Sequence, residues 1–142
     1  MTALPYPLAI LRLAAASGDH PALANAGATA TRDSQTCGSD ITVTLDIEAG
    51  RIARFGHRVR ACAIGQAAAT VLAERAVGLD VDAVTAARTA LADILAGRSD
   101  TAPGDWPDLD HFRGVREFKA RHEAALLPFD ATLAALRGDV AT

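Results

Sequence analysis

The residues between Asp40 and Arg60 leave this chain little freedom in how it begins to fold. Ile41, Val43, Leu45 and Ile47 alternate with Thr42, Thr44 and Asp46. A period of two puts apolar side chains on one face of an extended strand and polar ones on the other. Glu48-Ala49-Gly50 then turns the chain, and Ala53, Phe55, His57 and Val59 alternate with Arg54, Gly56, Arg58 and Arg60. Two such runs flanking a short turn predict an antiparallel hairpin. The basic run from Arg51 to Arg60 lies on its wet face, and the Thr-rich stretch Gly27 to Ser34 supplies an edge strand.

Past Cys62 the period becomes helical. Ile64, Ala68, Val71 and Leu72 share one face, and Gly78 stands where a C-terminal stop is expected. Asp80 is the N-cap of a second helix with Val84, Ala87, Leu91, Ile94 and Leu95 inside and Gly97 at its end. Residues 98–110, rich in Asp, Gly and Pro and carrying Trp106, read as a loop. A last helix is predicted from about Ala124 to Arg137, with Leu126, Phe129, Leu133 and Leu136 inward. It tolerates Pro128 only in its first turn, where no intrahelical N–H is needed. Near the start, residues 5–15 predict a short helix stopped by Ser17-Gly18-Asp19, and Pro21 to Asn25 a further helical turn. The class is α+β: one domain over residues 1–142, a small antiparallel sheet of about three strands packed against C-terminal helices.

Half of the 142 residues are apolar but only 4% are aromatic, so the core is built from small aliphatics. A net charge of −3 argues against a nucleic-acid or anionic-membrane partner. No apolar stretch approaches the roughly 20 residues that span a bilayer. The segment Met1 to Tyr6 lacks the positive start of an export signal, so the expected location is cytoplasmic. In a reducing compartment two cysteines point to metal or sulfur chemistry before a disulfide.

Those cysteines are Cys37, in Thr36-Cys37-Gly38-Ser39-Asp40, and Cys62, in Arg60-Ala61-Cys62-Ala63-Ile64-Gly65. Cys62 stands between a strand and a helix start, where unpaired N–H groups favour thiolate over thiol. A buried structural cysteine accounts for its position equally well. Gly38 gives the backbone beside Cys37 room to turn its thiol from the sheet, with Ser39 or Asp40 offering an oxygen. Among the four histidines, His122 has the most suggestive place, just before the last helix. His57 is expected inward and satisfied, His20 and His111 toward solvent. Two Cys, one His and one Asp would suit tetrahedral zinc, but no Cys-x-x-Cys spacing supports it.

In this order these motifs resemble the U-type iron–sulfur cluster scaffold family: IscU, SufU and the N-terminal domain of NifU. Cys37-Gly38 before Ile41 resembles the family's first cysteine motif, and Ala61-Cys62-Ala63-Ile64-Gly65-Gln66-Ala67-Ala68 the second. Phe118-Lys119-Ala120-Arg121 followed by Ala124-Ala125-Leu126-Leu127 resembles the SufU-type third motif, and the long stretch from Gly97 to Gly114 its insertion. The likeness runs from about residue 27 to the C-terminus. Three positions depart from the pattern: Ala124 replaces the third cysteine, Ser39 the motif aspartate, and Ala61 the Gly before the second cysteine.

The resemblance implies a divergent assembly scaffold that takes iron or a transient [2Fe–2S] unit on Cys37 and Cys62. His122, Asp40 or a second copy in a homodimer would complete the set. It implies a cysteine desulfurase and apo-acceptor proteins as partners. A zinc-dependent sulfur acceptor, with Cys37 taking persulfide, is the alternative, since Ala124 rules out persulfide at the third position. A degenerate module that binds a desulfurase without metal chemistry is the third reading.

Overall fold

The computed structural model describes residues 6–35 and 38–138. Three strands, β1 (Ala28–Asp33), β2 (Asp40–Glu48) and β3 (Arg51–Arg60), form one antiparallel sheet in the order β1-β2-β3. Four α-helices accompany it: α1 (Leu8–Ala15), α2 (Ala63–Arg75), α3 (Val81–Ala96) and α4 (His122–Arg137). The α+β reading and the β2–β3 hairpin are as the alternating pattern predicts.

The hairpin departs from that pattern at one place. Asp46 pairs with Arg54 but Ile47 with Ile52, so Ala53 is an extra residue on β3, a bulge. Past the bulge Ile47, expected inside, is 40% exposed, while Ile52 is buried. At β3's outer edge, Gly78 N–H donates to the Ile52 carbonyl and Ile52 N–H to that of Leu79. Gly78, at φ +94°, makes this return to the strand; α2 itself has already ended at Arg75.

Further along the same edge, His57 N–H donates to the His20 carbonyl and Leu23 N–H to the Thr44 hydroxyl. Pro21 to Asn25 is therefore an irregular crossing over β3, not the helical turn expected, because its backbone bonds go to the sheet. Gly56 allows the crossing: a Cβ there would stand 2.2 Å from the Pro21 carbonyl oxygen. The buried His57 ring sets Nε2 at 2.8 Å from the Ser17 carbonyl. Burial pushes its pKa below the ordinary imidazole value more than that bond raises it, and His20 adds repulsion. His20 is thus half-buried and edge-on to His57, not turned to solvent.

α2 and α4 are apolar on nearly every side, as a helix must be when it lies between two layers. On the sheet side Ala69, Leu127, Ala131 and Ala135 meet Ala30, Ile41, Val43, Leu45 and Ile52. On the other side Ile64, Ala68, Val71, Phe129 and Leu133 meet Ile10 of α1 and Val84, Leu91 and Ile94 of α3. α3 follows the sequence reading closely: Asp80 caps Ala83 N–H at 2.9 Å and Gly97 ends it at φ +80°.

Two expectations for the C-terminal half need correction. The loop beyond α3 contains a 3-10 helix, Pro107–Val115, whose residues Leu109, Phe112 and Val115 recur every third position and are buried with Trp106. α4 begins at His122, two residues before its expected start, so Pro128 lies in the second turn and leaves the Ala124 carbonyl without its usual helical donor. Leu126 and Leu136 are only half-buried, and Leu127 takes an inner position instead.

Candidate functional site

Of the four residues expected to form the site, three are described: Asp40 opens β2, Cys62 caps α2 and His122 opens α4. Cys37 lies outside the described residues, so its surroundings are known only from what flanks it. Ser34 N–H donates to the Ser39 carbonyl at 2.7 Å, one step beyond the Asp33–Asp40 pair. The β1–β2 pairing thus extends one step past Asp33 and Asp40, and Gly38 lies in the left-handed region at φ +69°.

Asp40 opens β2 opposite Arg60. One of its carboxylate oxygens accepts from Arg60 Nη2 at 3.1 Å and Nε at 3.2 Å, a two-pronged contact at the surface. Ser39, standing at the motif aspartate's place, is buried.

Cys62 is the N-cap of α2, half-buried, with its carbonyl accepting the first helical bond from Gln66 N–H at 3.0 Å. β3 ends at Arg60, so strand and helix meet at this residue as the change of period predicts. Gly65, one turn on, brings the helix start against α4: a Cβ on Gly65 would lie 3.5 Å from Ala124 Cβ. Ala124, the residue expected at the third motif position, therefore neighbours the first turn of the helix that Cys62 caps.

His122 is half-buried at the first position of α4. Its Nε2 is 3.0 Å from the Arg116 carbonyl oxygen and 3.3 Å from that of Val115. Two carbonyls facing one ring nitrogen make it the N–H donor, which leaves Nδ1 as the atom with a lone pair. Arg116 is itself tied to the Ile94 and Ser99 carbonyls, so the imidazole anchors α4 to the end of α3.

Sequence reasoning passed over Glu123. Its Oε1 accepts from the Ser34 hydroxyl at 2.5 Å and from Gln35 N–H at 2.8 Å. The only sequence sign of it was an acidic residue in a helix's first turn, which the helix dipole alone explains.

The donor chemistry fits a soft metal in part. The chain offers two thiols, and Ala124 has no ligating atom. Among the described residues no three His, Cys, Asp or Glu side chains gather in a way that would hold a metal ion. Nor is any described helix long and apolar enough to cross a membrane.

Comparison with known proteins places the fold and the family. The model of the NifU-like N-terminal domain matches residues 17–122. The zinc-dependent sulfurtransferase SufU of Bacillus subtilis is 24% identical over 96 residues, which span 68% of this chain and 65% of that protein. The chain thus matches just under two thirds of that relative's length. Among solved structures, the N-terminal part of a nitrogen-fixing NifU-like protein from Brucella abortus superposes with a TM-score of 0.86 at 37% identity, covering 94% of this chain and 92% of the other. A candidate iron–sulfur cluster assembly scaffold of the SUF system from Fervidobacterium islandicum has the same fold, with a TM-score of 0.82 at 20% identity over 93% and 96%.

Proposed function

The chain belongs to the NifU-like N-terminal domain family, and we propose that it serves iron–sulfur cluster assembly as a divergent scaffold. Its cargo is iron or a nascent [2Fe–2S] unit, received on Cys37 and Cys62. The observation that carries this reading is the place of Cys62, half-buried as the N-cap of α2, in the turn whose Gly65 packs against Ala124. The unpaired N–H groups and positive dipole end of a helix N-terminus favour an anionic ligand or cluster there.

Two thiolates fall short of the four ligands that iron–sulfur clusters normally take. We take the remaining pair from a second copy, so that two chains contribute two cysteines each. The Nε2 tether of His122 makes that residue the weaker alternative, and Asp40 is already engaged by Arg60. A cysteine desulfurase supplies the sulfur and apo-proteins receive the cluster in this reading. Anaerobic reconstitution with iron and sulfide tests it. Wild type gains a visible sulfide-to-iron absorption that Cys37→Ser and Cys62→Ser lose; no cysteine-dependent chromophore would sink the proposal.

The similarity to a protein named as a zinc-dependent sulfurtransferase favours one second reading. Here zinc is the resident metal, with Cys37 and Cys62 among its ligands. The Cys37 thiolate attacks the outer sulfur of a desulfurase persulfide, a new S–S bond forms on Cys37, and the desulfurase thiolate leaves. Stimulated desulfurase turnover with persulfide found on Cys37 would favour transfer; neither effect would exclude it. Desulfurase binding without stimulation or metal would mark a degenerate docking module.

A further inference from the structure

A hollow of about 500 Å³ opens at the far end of α2 from Cys62. α2 ends at Arg75, so the length of that helix, about 18–20 Å at 1.5 Å per residue, separates the two. Trp106 and Ala87 are its buried lining, and Leu79, Ala83, Ala86 and Pro103 complete its apolar walls. Ala83, Ala86 and Ala87 share one face of α3, where their short side chains leave the space unfilled. In the turn between Arg75 and Leu79, the apolar side chain of Val77 is 66% exposed.

Charge at the rim is one-sided. Glu74 and Asp105 line the opening and are exposed, and among the described residues neither has an ion pair or a side-chain hydrogen bond. Arg75 lines it too, but its Nη2 stands 3.9 Å from Asp108 Oδ2, so a third carboxylate already matches its charge. Arg75 Nε is buried without an acceptor, which leaves this wall one hydrogen bond short. Three carboxylates thus stand against one guanidinium around an apolar space. A cation gains from that imbalance and an anion loses, while the walls take an uncharged apolar group. Val77 carries apolar surface past the opening, further than a small amine reaches, and a buried tryptophan beside an arginine is the make-up of a protein contact's centre.

We propose that this hollow docks a segment of a partner protein that carries one apolar side chain of leucine size with a lysine or arginine beside it. The apolar side chain enters between Trp106 and the alanines of α3, and the basic residue meets Glu74 and Asp105. Lying at the opposite end of α2, the hollow stays open while the cysteine end is engaged. Neither a thiol nor a metal takes part, so docking does not depend on the cluster-assembly reading.

Trp106 is the single tryptophan of the chain, so its fluorescence and its one indole N–H cross-peak report on the hollow directly. The probe is the capped peptide Ala-Lys-Leu-Lys-Ala, titrated to about 5 mM, the weak end of specific binding. The comparators are Ala-Glu-Leu-Glu-Ala with reversed charge, Ala-Lys-Ser-Lys-Ala without the anchor, and isoamylamine as a free apolar amine. The lysine–leucine peptide should give a saturable shift that weakens as salt is raised, with each comparator at least about tenfold weaker. Combining Glu74→Gln with Asp105→Asn should weaken its binding about tenfold and remove most of the salt dependence. Ala86→Phe fills the hollow from an exposed position and should abolish the shift, and the carboxamide pair keeps the test usable should that variant not fold. No saturable response to the lysine–leucine peptide overturns the proposal, as does unchanged binding in either folded variant. An equal response to the glutamate or serine peptide removes the stated partner chemistry and overturns it too. Isoamylamine binding as tightly as the peptide would make the hollow a small-amine site instead of a protein-docking one.

Discussion

Gly65 and Ala124 face each other between the first turns of α2 and α4, so closely that a Cβ on Gly65 would lie 3.4 Å from the Ala124 carbonyl oxygen. By the motif resemblance Ala124 stands where a third cysteine is expected, and this contact sets it beside the helix that Cys62 caps. Ala124→Cys should then add a thiolate to the existing pair. We expect zinc affinity to rise by about tenfold or more, equivalent to ~1.4 kcal/mol, read by competition with a chromophoric chelator. A folded variant with no gain would show that the start of α4 and Cys62 do not serve one site.

Gly65 is intolerant of a side chain because of Ala61. A Cβ there would stand 2.7 Å from Ala61 Cβ, closer than two such atoms approach, while its distances to Ala124 are those of ordinary contact. Gly65→Ala gains up to about 1 kcal/mol of helix propensity, but displacing Ala61 and the strand-to-helix junction costs about 1–3 kcal/mol. The expected result is a net loss of stability in denaturant titration. A variant as stable as wild type would mean that Ala61 yields without cost.

Whatever depends on neighbours in sequence was legible, and whatever depends on distant partners was not. The β2–β3 hairpin and α3 announced themselves because alternation, the Asp80 cap and the Gly97 stop all act within a few residues. Cys62 at a strand-to-helix junction could be read for the same reason. The 3-10 helix at Pro107–Val115 was hidden by its Asp, Gly and Pro content, although Leu109, Phe112 and Val115 carry its period of three. Pro21 to Asn25 lost its helical turn to the sheet, since Leu23 N–H donates to the Thr44 hydroxyl of β2 and Pro21 bridges to His57 of β3. Ile47 was displaced by a one-residue bulge whose only mark is Ile52, apolar and out of phase with Ala53 and Phe55. Glu123 showed only an acidic residue in a helix's first turn, since these partners are 88 and 89 residues away.

His57 gives the fold a pH dependence whose sign follows from its burial. In the unfolded chain its imidazole takes up a proton near the ordinary value of 6.5; in the fold that pKa is lowered. Below pH 6.5 the unfolded state therefore binds more protons, so stability is complete above this value and falls as the pH drops beneath it. The slope from this group reaches at most about 1.4 kcal/mol per pH unit. Asp46, lowered by the Gly27 N–H and then by Arg54, loses its contribution only as the pH falls below about its ordinary value of 3.8, so the two effects separate. Urea titrations at pH 7.5 and 5.5 should show wild type weaker at the lower pH and His57→Gln with a smaller difference. Equal differences in both proteins would assign the effect to another group.

The role of His122 is decided by separating its anchor from its lone pair. Nε2 ties α4 to the Val115 and Arg116 carbonyls, so His122→Ala should cost about 0.5–1.5 kcal/mol whether or not metal is bound. Only Nδ1 remains to act as a ligand. If a second copy completes the site, His122→Ala lowers the melting temperature while metal content per chain stays within about twofold of wild type. Cys62→Ser should instead lose most of the metal with a small change in melting temperature, because Cys62 is half-buried and its side chain makes no cap bond. Metal analysis with size-exclusion chromatography of the loaded protein reads both effects at once. Loss of metal in His122→Ala from a protein that stays monomeric would transfer the third ligand to His122 and remove the second copy from the site.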